Sequence, residues 1–179
     1  MTLNNNPPGE RNPFLEAVGR VTIAGTELDA SLHHLLGAIA LEPTLLMHAN
    51  GANTDKLLQL CRLALTVGTV EPDDVTEIEA CLKRADSIRI RRNAVVHSIY
   101  MTVELGQGME ALKPIRKSLG YNAKPITVEE MEALADEVTV LRSDMFRAGW
   151  NAGAGKQPGM GLIPPRKPGD TVNGIPAGS

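Results

Sequence analysis

Arg92-Asn93-Ala94-Val95-Val96-His97 is the stretch of this chain best equipped for chemistry. A guanidinium neutralises charge that builds on a phosphate, and an imidazole carries protons near neutral pH. Together they are the minimum equipment for cutting a phosphodiester without a metal. Asn93 and His97 are four residues apart and share a helix face, whereas Arg92 and His97 differ by ~140° around the axis, an angle only the long arginine bridges. Arg92 also stands where the helical pattern asks for an apolar residue. Val75, Ile78, Leu82, Ala85, Ile88, Val95 and Ile99 recur at three- and four-residue steps with one gap, between Ile88 and Val95, and Arg92 lies in it. A charge on a core-facing turn is costly unless it is paired or opens on a wet cleft. Two readings stay open: a phosphate-handling arginine in such a cleft, or a buried helix arginine paired with Glu27 or Asp29, with His97 merely capping or packing.

Arginine, asparagine directly after it, three further residues and a histidine, late in a long helix of a helical chain, resemble the signature of the HEPN superfamily. The resemblance covers roughly residues 12–151, and its specific part is Arg92 to His97. It implies an all-α domain, a four-helix bundle whose protomers pair so that two motifs line one cleft. In the catalytically active branches it also implies a metal-independent endoribonuclease with no cofactor. On that footing Arg92 would bind or stabilise the scissile phosphate, His97 would act as general base or acid, and Asn93 would orient them or the RNA. The implied partners are RNA, a second copy of the chain, and an antitoxin or other protein, since a toxin or antiphage role is the usual setting. One toxin branch carries a tyrosine two residues after the histidine. Here Tyr100 is three after His97, so that branch's tyrosine-based regulation does not transfer, and Tyr100 is kept as an RNA-contact candidate. Other members bind or scaffold without cutting, which leaves a non-catalytic dimeric module docking a protein partner as the alternative.

The charge pattern bears on the same choice. The net charge of −3 argues against a surface coated with basic residues. Yet Lys83, Arg84, Arg89, Arg91 and Arg92 form a run interrupted only by the acid Asp86. Alone such a run reads as a solvated helix face, but beside the motif it is where an RNA backbone would lie, with Arg89 and Arg91 as candidate contacts. Cys61 and Cys81 have no C-x-x-C spacing and read as small core residues in a reducing compartment. His33 and His34 are adjacent, about 100° apart on a helix, so they lack the spacing of a metal pair. One is expected packed and the other solvated, and His48 has no visible partner. No charged-then-apolar leader and no apolar run near the about 18 residues of a membrane span is visible, so the chain is expected to be cytoplasmic.

The elements that must position the motif are legible around it. With 179 residues and 3% aromatics, the chain suits one domain with a core of Leu, Ile, Val, Ala and Met. Residues 1–11 read as a polar leader. Asn12 and Pro13 cap and open a first helix with Phe14, Val18, Val21, Leu28, Leu32, Leu35 and Ile39 on one stripe; Gly19 and Gly25 weaken it or admit a close neighbour. A helical turn follows at Thr44 to His48. A leucine-rich second helix spans Asp55 to Val67, capped by Asn53 or Thr54, and Pro72, Asp73 and Asp74 open the motif helix, expected from about 73 to 100. A small insertion follows, with a short strand at Ser98 to Leu105 and Met109 to Ser118 pairing with it or forming a turn. Gly106-Gln107-Gly108 lacks the context of a dinucleotide fingerprint and reads as a loop. Thr127-Val128-Glu129-Glu130 is a capping box for a last helix from about 128 to 150, with Met131, Leu134, Val138, Leu141 and Met145 at helical spacing. Residues 152–179, rich in Gly and Pro, lack periodicity and are expected to be a flexible tail.

Overall fold

The computed structural model describes residues 11–102, 109–114, 121–167 and 169–176. The leader before Arg11, the Gly106-Gln107-Gly108 loop and part of the insertion lie outside the described residues. Five helices dominate: α1 (Pro13–Ile39), α2 (Pro43–Ala49), α3 (Thr54–Val67), α4 (Pro72–Val96) and α5 (Val128–Ala152). Strands β1 (Ile99–Thr102), β2 (Met109–Pro114) and β3 (Tyr121–Ile126) form an antiparallel meander in that order between α4 and α5. A hairpin of β4 (Thr171–Val172) and β5 (Ile175–Pro176) lies in the C-terminal segment. None of the described helices is long and apolar enough to cross a membrane.

Local chemistry explains where the helices start. The Asn12 side chain accepts from the N–H groups of Phe14 (3.1 Å) and Leu15 (3.2 Å), with Pro13 at the first helical position. Asn53 accepts from Lys56 N–H at 2.9 Å and so caps α3. Thr127 and Glu130 exchange both bonds of a capping box at the head of α5. Glu71 makes no side-chain cap for α4, so Pro72 and the acidic pair Asp73 and Asp74 mark that start.

The core is the seam where α1 meets α3, α4 and α5. Val21, Leu28, Leu32 and Leu36 of α1 are fully buried with Leu57 and Leu58 of α3, Ile78, Leu82 and Ile88 of α4, and Met131, Leu141 and Met145 of α5. Each such side chain contributes ~1.5–3 kcal/mol by leaving water, offset by the cost of ordering the chain. Among the described residues, no aromatic side chain is counted in the buried core.

Three elements differ from expectation. The motif helix stops at Val96 because Ser98 N–H turns back to Val95 O at 3.4 Å and the next residues enter β1, pairing Ile99 with Leu112 and Tyr100 with Ala111. His97 is therefore the C-cap residue of α4, with φ −106° and ψ 16°, and does not sit inside the helix. The insertion is a three-stranded sheet: β2 does pair with β1, and β3, which contains Pro125, is tolerated as an edge strand because it needs partners on one side only. The described part of the C-terminal segment folds back on α5. Asn151, buried at the end of α5, exchanges two bonds with the backbone of Ile163, at 2.9 and 2.8 Å, and Trp150 Nε1 donates to Gly161 O at 2.8 Å. Arg166 donates to Asp144 at 2.6 Å and to Val140 O at 2.9 Å, while Lys156 pairs with Asp74 at the start of α4. The segment lacks a core of its own and borrows one surface through polar contacts, which hydrophobic periodicity does not register.

Candidate functional site

Arg92 leaves α4 one turn before its end and reaches across α1 toward the head of α3. Its Nη2 donates to Thr54 Oγ1 at 3.1 Å and lies 3.9 Å from Asp29 Oδ2. Thr54 is buried, the Arg92 side chain is 19% exposed and that of Asp29 is 32% exposed. Arg92 crosses α1 at Gly25, where a Cβ would lie 2.7 Å from Arg92 Nε. The contact with Asp29 is an incomplete ion pair, longer than the about 2.7–2.9 Å of a charge-assisted hydrogen bond. Arg92 Nε and Asp29 Oδ1 are both buried without a hydrogen-bond partner among the described residues. Buried polar groups are ordinarily satisfied; Arg147 Nε and Arg166 Nη1 share this state with Arg92 Nε, and what sets Arg92 apart is the equally unpartnered carboxylate oxygen of the acid beside it.

His97 is exposed and Asn93 half-buried, and they are linked through the backbone: His97 N–H donates to Asn93 O at 3.2 Å. Ile90, 57% exposed, lies three and seven residues before them and so on the same side of α4. No hydrogen bond joins the Arg92 and His97 side chains among the described residues. The arginine points inward over α1, and the histidine stands at the helix end facing solvent.

The rest of the basic run disperses around α4. Arg84 meets Asp144 at 2.7 Å, and Arg91 meets Glu137 at 2.5 Å, both on α5. Arg89 bonds its own neighbour Asp86 at 2.7 Å and comes within 3.7 Å of Asp55 on α3. Lys83 is exposed. Arg84, Arg89 and Arg91 of the positive run are thus neutralised by the chain's own carboxylates, and the run does not line one continuous track. The Tyr100 hydroxyl donates to Val95 O, and its ring meets Phe14 edge-on at 4.9 Å. Tyr100 therefore closes the end of α4, and burial raises its phenol pKa.

The two thiols are inert by position. Burial pushes Cys61 up to about 12, with Arg62 opposing, and burial followed by Asp144 pushes Cys81 up to about 11. His33 Nε2 lies 2.8 Å from Ala49 O, whereas His34 and His48 are exposed. Among the described residues no three His, Cys, Asp or Glu side chains are grouped as metal ligands.

The signals that periodicity overlooks are two. Gly25 has its reason in Arg92. The hairpin of β4 and β5 is announced by Asn173-Gly174, whose φ angles of 51° and 82° give the tight turn that suits a two-residue loop. No protein-family model, curated protein or solved structure matches this chain.

Proposed function

We propose that the chain is a metal-independent endoribonuclease of HEPN type acting as a homodimer. The observation that carries this reading is Arg92, a part-buried guanidinium with an unpartnered Nε, held against an incomplete acid partner five residues before an exposed histidine. Nε itself is buried against Gly25, so a phosphate would be met by the part of the guanidinium that stays exposed, in exchange for the long contact with Asp29. A 2′-hydroxyl of the RNA attacks the adjacent phosphorus, the 5′-oxygen leaves, and the product ends in a 2′,3′-cyclic phosphate. His97 takes the proton from the attacking oxygen or returns one to the leaving oxygen, and Arg92 offsets the charge that builds on the phosphate. Asn93 and the exposed Ile90 lie on the His97 side of α4, so a second copy covering Ile90 would bring two histidines together. In this reading Arg89 and Arg91 contact RNA only by exchanging an internal carboxylate for a phosphate. A four-helix HEPN bundle made of α1, α3, α4 and α5 and a toxin or antiphage setting belong to the same proposal, as does a cytoplasmic location.

The neutralised arginines favour a second reading, a non-catalytic dimeric module that docks a protein partner. Incubating purified protein with single-stranded RNA in excess EDTA separates the two. The first predicts cut RNA with cyclic phosphate ends and intact DNA. No cleavage across RNAs of varied sequence selects the second.

A further inference from the structure

A cleft of about 970 Å³ lies between α5, the middle of α4 and the C-terminal segment. Four cations line it: Arg84 of α4, Arg147 of α5, and Arg166 and Lys167 of the segment. Arg92, Asn93 and His97 take no part in the lining, so the cleft is separate from the candidate site.

The carboxylates here do not match the cations in number. Asp144 takes both Arg84 and Arg166, one on each oxygen, at 2.7 and 2.6 Å. A carboxylate carries one charge, so Arg166, sharing Asp144 with Arg84, has no acid of its own. Arg147 pairs with Glu77 of α4. Only the backbone N–H of Lys167 is engaged, by Asp170, and its ammonium has no ion pair among the described residues. The two other acids on the lining, Asp136 and Glu137, are already held by Arg20 at 3.0 Å and Arg91 at 2.5 Å. The cleft thus keeps two positive charges, on Arg166 and Lys167, that no carboxylate in it answers. In a chain of net charge −3 this surplus is local.

Burial makes the surplus matter. The side chains of Arg147 and Arg166 are 17% and 18% exposed, and a guanidinium taken that far out of water is costly unless its charge is met. Hydrogen bonding is incomplete as well, since Arg147 Nε and Arg166 Nη1 are buried without a partner. Those two nitrogens are sealed, so a ligand would meet the open edges of the guanidiniums instead. Arg84 Nη2 and Arg147 Nη1 make no hydrogen bond among the described residues, and the Arg84 side chain is 41% exposed. Asp144, Arg84, Glu77 and Arg147 all act on the Cys81 thiol, which draws these charges together at the seam of α4 and α5.

Planar guanidiniums suit phosphate and carboxylate alike, but a carboxylate brings one charge, whereas a phosphate monoester brings about two near neutral pH. We propose that this cleft is a binding site for a phosphate dianion, free or as the monoester of a small molecule, held by Arg84, Arg147 and Arg166 with Lys167 at the rim. The ligand joins α4, α5 and the C-terminal segment. The site stands on these four cations and does not depend on the RNA reading. A phosphodiester carries one charge per phosphate and is the poorer match.

The test is a phosphorus NMR titration of the full chain at fixed ionic strength, with inorganic phosphate, phenyl phosphate and dimethyl phosphate as probes. Saturable broadening is expected for a dianion, and it should weaken roughly tenfold or more in Arg84→Gln, which removes a charge-assisted contact. Asp144 keeps Arg166 in that variant, and circular dichroism checks its fold. Lys167→Gln, at an exposed position, should also weaken binding, whereas Arg62→Gln, on α3 and outside the lining, should not. Phenyl phosphate binding at least as well as inorganic phosphate assigns the site to an ester, and binding of inorganic phosphate alone assigns it to the free ion. Absence of saturable broadening overturns the site. So does binding indifferent to both Arg84→Gln and Lys167→Gln, binding lost equally in Arg62→Gln, or dimethyl phosphate that binds as well as the dianions.

Discussion

Gly25 and Arg92 are a matched pair: the guanidinium stem crosses α1 at the one residue whose missing Cβ leaves room for it, with Nε 2.7 Å from where that carbon would be. The helix gives up propensity at Gly25 so that a charged side chain can pass from α4 to Asp29 and Thr54. The pair fixes the direction of Arg92, and with it which groups the arginine can serve.

The sign of Gly25→Ala should therefore depend on residue 92. In the wild-type background it should cost about 1–2 kcal/mol, because Arg92 must shift. In an Arg92→Ala background the same change should stabilise by about 0.5–1 kcal/mol, the ordinary gain of alanine over glycine inside a helix. Urea denaturation of the four proteins of the cycle measures both. Additive effects would mean that the two residues do not touch.

Arg92→Ala alone should lower stability by about 1–2 kcal/mol. That is below the about 3–5 kcal/mol for breaking a complete buried pair, because Asp29 keeps a third of its surface in water and the contact is 3.9 Å long. Adding Asp29→Asn should recover part of the loss by removing the stranded charge. A full 3–5 kcal/mol loss would mark Arg92 as a structural ion-pair member and weaken its functional reading.

How much of this was legible before the structure follows from what each signal encodes. Asn12, Pro13, Asn53, Pro72 and Thr127 locate helix starts because capping is local chemistry; the apolar stripe of α5 matches residues found buried, as does that of α1 from Val21 to Ile39, while Phe14 and Val18 in its first turns are only partly buried. Helical spacing carries α4 four residues past its end at Val96, because Ile99 continues the helical stripe while its backbone pairs with Leu112, a partner distant in sequence. Arg92 stands out in the sequence as a charge on an apolar face, with Glu27 and Asp29 both eligible as its acid, and the structure puts Asp29 beside it. Its course over Gly25 and its bond to Thr54 depend on helix packing. The basic run was misleading in isolation, since Asp144, Glu137 and Asp55 lie on other helices.

Asn151 should be the clasp of the C-terminal segment. Asn151→Ala removes both bonds to Ile163, and each buried polar group left unpaired costs about 1–3 kcal/mol. Hydrogen exchange should show the Ile163 amide losing protection, with little change at core amides of α1. Uniform loss across the core would mean that the segment is integral to the fold and does not open separately.

Cys61 and Cys81 should resist alkylation in the native protein at pH 8 and react on unfolding. Their folded pKa values, about 12 and about 11, lie above the ordinary 9.0, so the folded state holds these protons more tightly. The contribution is fully present below pH 9 and is lost as the pH rises through the folded values, so stability should decline above pH 9. Cys61→Ala and Cys81→Ala together should flatten that alkaline decline relative to wild type. An unchanged slope would show that other groups set it.

The central claim is tested most directly by single-stranded RNA cleavage in EDTA by purified wild type and His97→Ala, with light scattering on both. The exposed position of His97 means that its replacement should leave the fold intact, and light scattering checks that the assembly is kept as well. The account predicts wild-type cleavage with 2′,3′-cyclic phosphate ends, and a homodimeric His97→Ala protein that cuts at least a hundredfold more slowly, within the about 10²–10⁴ range of general acid–base catalysis. Undiminished cutting by His97→Ala, or a wild-type protein that is monomeric and leaves RNA whole, would contradict it.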